Sequence, residues 1–75
     1  MTESPGVAPP PIVVSQVMPG DPPFRIVQIG GQQVGKAFSP VDVIEFARRA
    51  GLDDVDLDDP SVVQWVGGDK FKWTL

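Results

Sequence analysis

Five aspartates crowd one short stretch of the chain, Asp53, Asp54, Asp56, Asp58 and Asp59, and no other group of residues has so evident a capacity for chemistry. Asp54, Asp56 and Asp58 match positions 1, 3 and 5 of a calcium-binding loop. The sixth position, which needs glycine for its sharp turn, is Asp59, and the twelfth, which needs a bidentate glutamate, is Trp65. An EF-hand is therefore excluded, and no metal site or cofactor is expected. Crowded carboxylates can also form a loose divalent-ion site, a solvated loop, or a docking surface for a basic partner. If the segment is extended, Asp54, Asp56 and Asp58 share one face opposite Val55 and Leu57, and that face could imitate a row of phosphates.

Catalysis finds little material. The chain has no histidine and no cysteine, so Ser4, Ser15, Ser39 and Ser61 have no imidazole to activate them. Paired carboxylates hydrolyse glycosides only when a cleft holds them apart, and nearly every large apolar residue here is needed for a core. Gly30, Gly31 and Gly35 precede Lys36, but Ala37 stands where a phosphate loop carries a hydroxyl, and the helix begins later. No enzyme is expected.

The net charge is −4 and unevenly spread. Residues 1–50 hold four acids and four bases, and residues 51–75 hold six acids and two bases. Arg48 with Arg49 and Lys70 with Lys72 are the only basic pairs. Beside so acidic a loop they make a poor footprint for a phosphate backbone, so direct nucleic-acid binding is not expected. No stretch approaches the roughly 20 apolar residues of a membrane span. The amino terminus lacks the cationic start of a secretion signal, and the missing cysteines fit a cytoplasmic setting.

The elements that must position these residues are few. Seventy-five residues allow one domain with a small core and no disulfide to reinforce it. Residues 1–23 contain seven of the nine prolines and read as a largely disordered arm. Within it, residues 12–18 have strand-like composition and offer an added strand for the chain's own sheet or a partner's, with Val13 and Val17 as candidate contacts. The compact domain is expected over residues 24–75. Phe24 to Ile29 reads as a strand, Gly30-Gly31 as a hairpin turn, and Gln32 to Phe38 as the returning strand, weakened by Gly35.

Ser39 as N-cap, Pro40 at the first helical position, Asp42 in a capping box and Gly51 after the end predict a helix over residues 40–50. Val43, Ile44, Phe46, Ala47 and Ala50 form its apolar arc. Residues 62–66 suit a helical turn or a strand. Lys70 to Leu75 alternates and predicts a final strand that buries Phe71, Trp73 and Leu75.

The expected fold is a small α+β domain, one helix on a short antiparallel sheet of two to four strands. Tryptophan is favoured at binding hot spots, so Trp65 and Trp73 join Val13, Val17, Asp54, Asp56 and Asp58 as candidate protein-binding residues. The expected function is a small acidic module that binds a larger protein as adaptor, accessory subunit or regulator, and a basic surface on that partner would suit the acidic segment. Two alternatives are a structural subunit of a homo-oligomer or shell and an acidic inhibitor that mimics nucleic acid.

Overall fold

A computed structural model describes residues 9–75; the first eight residues of the arm lie outside the described residues. Four strands and one helix follow in the order β1 (Ile12–Met18), β2 (Phe24–Ile29), β3 (Gln32–Ala37), α1 (Pro40–Arg49) and β4 (Val63–Trp65). They form one four-stranded sheet, in the order β3-β2-β1-β4, with α1 packed on it. The α+β class holds. The sheet is mixed, however, because β4 runs parallel to β1. The reason is connectivity. The β2–β3 hairpin extends the sheet on the far side of β2, so the chain returns by way of α1 and the acidic segment to the remaining edge of β1.

Within the arm, residues 12–18 take the strand alternative, in the chain's own sheet, and not the disordered one. They form β1, which is paired with β2 on one side and β4 on the other, and Ile12 and Val14 are completely buried. The sheet thus begins at Ile12 and not at Phe24. A strand flanked by proline groups looks isolated along the chain, but its Val and Ile side chains supply apolar surface that a small core cannot forgo.

The helix forms where its signals place it. Asp42 accepts a hydrogen bond from the Phe38 backbone N–H at 2.8 Å, one residue earlier than a capping box requires, and the Ser39 side chain makes no cap bond. At the other end Gly51 has φ of 87°, its N–H bonds to the Arg48 carbonyl, and the Leu52 N–H bonds to the Ala47 carbonyl. This is a Schellman motif, and it turns Leu52 back toward the core. Val43 and Ala47 meet Ile12, Val14, Val27, Ala37 and Val63 beneath the helix. Gly35 is a packing site here and not merely a weakness of β3, since a Cβ built on it would lie 2.6 Å from the Phe46 ring.

Residues 62–66 resolve as strand, with β4 at Val63–Trp65. Residues 70–75 form no strand, contrary to their alternating pattern. The carbonyl of Lys72, with those of Val66, Gly68 and Asp69 just before the segment, is recruited by a distant side chain. Among the described residues, no helix is long and apolar enough to cross a membrane.

Candidate functional site

The recruiting group is Arg25. It lies on the same face of β2 as Val27 and is completely buried, the one charged residue so placed among the described residues. All five of its N–H groups have carbonyl acceptors. Nε donates to Ser15 at 2.6 Å, one terminal nitrogen to Asp69 and Lys72 at 2.7 and 2.8 Å, and the other to Val66 and Gly68 at 3.0 and 2.8 Å. Its guanidinium carbon lies 5.1 Å from the Trp65 ring centroid and 5.4 Å from that of Trp73, and the two rings meet edge to face. Burial lowers the pKa of Arg25, and the nearby Asp69 charge opposes that shift. The carbonyl dipoles and ring faces stand in for the lost hydration of a buried cation.

The same interaction explains a bulge in β1 between Val14 and Val17. There the Ser15 carbonyl is drawn to Arg25 while the Ser15 hydroxyl accepts from the Ile26 N–H at 2.8 Å. Residues 13 and 17 would share a face in a regular strand. The bulge separates them: Val17 pairs with Arg25 and is buried, whereas Val13 is half-buried and lines a groove on the sheet surface away from the helix.

Pinning residues 66–72 through their carbonyls leaves a cleft of about 420 Å³ beside β4. Val63, Gln64 and Trp65 form its floor, Leu57, Asp58 and Pro60 one wall, and Asp69, Lys70 and Phe71 the other. Asp58 and Lys70 pair across it at 2.6 Å. The Trp65 indole N–H donates to the Leu57 carbonyl at 3.0 Å and so ties the acidic segment to the floor. That segment is built of turns, not extended backbone. Asp56 accepts from the Asp58 N–H, and Asp59 accepts from both the N–H and the hydroxyl of Ser61, which together hold the Asp59 carboxyl below its ordinary pKa. Val55 and Leu57 face the core, and Asp54, Asp56 and Asp58 face solvent.

No known protein family matches this chain, and neither a characterised protein nor a solved structure is similar to it. The site must be read from its own residues. The structure brings Asp58 and Trp65 together in the cleft and leaves Asp54 and Asp56 on the same segment outside it. Val13 lies on another surface, Val17 is buried, and Trp73 is held against Arg25 with its indole N–H on the Lys70 carbonyl at 2.6 Å. Among the described residues, no three acidic side chains are placed to hold a metal ion.

Three participants were not singled out from the sequence. Arg25 carried a signal, a cation in phase with Val27 and Ile29 on the buried face of a strand. Lys70 and Phe71 carried a misleading one. Phe71 belongs by alternation to a buried strand face, yet it is 78% exposed at the cleft rim, and Leu75 is 74% exposed.

A second concave surface of about 340 Å³ lies on the sheet face away from α1. Val13, Met18, Ile26 and Val66 give it an apolar floor, and Ser15, Gln16 and Gln28 make its uncharged border.

Proposed function

We propose that this chain is a small non-catalytic protein-binding module, an adaptor, accessory subunit or regulator that holds a larger cytoplasmic protein in the cleft beside β4. The observation that carries the reading is the cleft itself. An apolar floor and an exposed Phe71 adjoin a rim on which Asp58 and Asp69 outnumber Lys70. Apolar anchors surrounded by a polar, charged rim are the usual anatomy of a protein interface. The surplus of carboxylates on the neighbouring turns favours a partner with a basic surface and speeds its encounter.

The test is a photo-crosslinking phenylalanine analogue at position 71 in the full chain, expressed in its native cells, with the same analogue at Gln33 as control. A stoichiometric crosslink to one other protein from position 71 alone, weakened by salt, is expected. Crosslinks only to a second copy, or none, would overturn the reading.

The open sheet face supports a second reading, self-association. Two such faces, floored by Val13, Met18, Ile26 and Val66 and carrying Lys36 beside Ile26, would bury each other as in a β-sandwich. Light scattering at high micromolar concentration separates the two, because only this reading predicts a dimer that Ile26→Lys abolishes.

A further inference from the structure

Within that proposed binding function, we infer that the ligand is an extended cationic segment of the partner that adds a strand to the free edge of β4. Three observations converge. The strand order β3-β2-β1-β4 leaves β4 with a hydrogen-bonded neighbour on one side only. The cleft lies along all three residues of β4, so its floor includes a strand edge; the Val63 N–H there is already held by the Asp59 carbonyl at 3.0 Å, and an added strand pairs with the backbone groups beyond it. The rim has a defined sign. Asp58 remains 67% exposed despite its bond to Lys70, whereas Lys70 is 26% exposed and already committed. An ionised carboxylate accepts at both oxygens, so Asp58 can hold Lys70 and a second cation together.

Strand addition uses backbone hydrogen bonds for affinity and alternate side chains for selectivity. With β4 three residues long, the added segment pairs over about 10 Å at roughly 3.3 Å per residue. Its apolar side chains meet Leu57, Pro60 and the exposed Phe71, and its cation meets Asp58. An anionic segment is repelled by the same rim. A second copy of this chain is disfavoured as the occupant, because pairing β4 with β4 about a two-fold axis would set two rims of the same negative sign against each other.

The probe is a blocked peptide of alternating valine and basic residues, acetyl-Val-Lys-Val-Arg-Val-amide, titrated into the 15N-labelled full chain. Amide shifts should concentrate at Val63, Gln64 and Trp65 and at the Trp65 indole, saturating at millimolar peptide. A peptide with glutamate in both basic positions should give none, and N-methylation of its central residue should abolish the response. Asp58→Asn, on an exposed side chain, should weaken binding about two- to fivefold, as expected for loss of a rim ion pair, with the remaining spectrum unchanged. Equal response to the N-methylated peptide, shifts at Val13 and Ile26 instead of β4, or no response at millimolar peptide would overturn strand addition. A crosslink from position 71 that persists alongside any of these outcomes would leave the module reading standing and remove only the strand.

Discussion

Replacing Arg25 by lysine keeps the charge and most of the length but reduces the donors from five to three and removes the planar group between two indoles. Two of the five carbonyls at Ser15, Val66, Gly68, Asp69 and Lys72 must then lose their bond to the cation. Hydrogen bonds to a charged group contribute about 1.5–3 kcal/mol each, so the loss is roughly 3–6 kcal/mol. A chain of this size has only about 4–11 kcal/mol to lose. With a urea slope of about 1 kcal/mol per M, the midpoint should fall by about 3 M or the chain should unfold outright. Arg25→Met, which removes all five hydrogen bonds and leaves Asp69 with only the Lys72 N–H, should be worse. Both tryptophans of the protein face Arg25, so their fluorescence reports on this contact and on little else. The expected signature is a red-shifted emission and a lost near-ultraviolet band. A lysine variant within about 0.5 kcal/mol of the parent, with unchanged emission, would refute the view that Arg25 holds the carboxyl-terminal segment; that margin is the scatter of ordinary surface substitutions.

Four further outcomes are expected. Gly35→Ala should cost about 1–3 kcal/mol by pressing a methyl into Phe46, and the penalty should shrink beside Phe46→Leu in a double-mutant cycle of urea midpoints. Gly51→Ala meets no neighbouring atom, so its cost of about 1–2 kcal/mol in the same assay is purely that of a left-handed backbone. Ser61→Ala removes the larger cause of the depressed Asp59 pKa, so carboxyl NMR should show that pKa rising toward its ordinary value; the stability linked to Asp59, present above the ordinary carboxyl range and lost as pH falls through the folded value, should diminish only at neutral and mildly acidic pH. Deleting residues 1–23 removes β1, an interior strand of the sheet, and circular dichroism should show no cooperative unfolding transition.

Local signals in the sequence were legible wherever one residue type has one physical reason to be there. Pro40, Asp42 and Gly51 bracket a helix, and Gly30-Gly31 closes a hairpin, because each acts on its own backbone. The alternation from Lys70 to Leu75 failed because a strand also needs a neighbour, and the Asp69 and Lys72 carbonyls are taken by Arg25, more than forty residues away, while the Lys70 carbonyl is taken by Trp73. Val13 and Val17, both candidate contacts on one strand, lie on different surfaces for a related reason: the bulge that separates them is fixed by Ser15 reaching both Arg25 and Ile26, which no spacing within the strand reveals. Asp58 and Trp65 were named from charge and residue type, and their convergence rests on an indole bond to Leu57 that only the folded chain makes.

The buried arginine and the candidate site are two consequences of one arrangement. Had residues 71–75 paired with β4 as a second hairpin, the edge of β4 would be covered, Phe71 would lie in the core, and no cleft would exist. Arg25 prevents this by binding the carbonyls of residues 66, 68, 69 and 72, which curls the segment instead of extending it. An exposed edge is a liability in an isolated domain, and here it is kept short and bordered by carboxylates, which suits it to selective pairing more than to aggregation. Loosening Arg25 therefore does more than lower stability. A lysine variant that remains folded at low temperature should let the carboxyl-terminal segment sample the edge of β4, and the basic peptide should then bind more weakly than it does to an Asp58→Asn variant of normal stability.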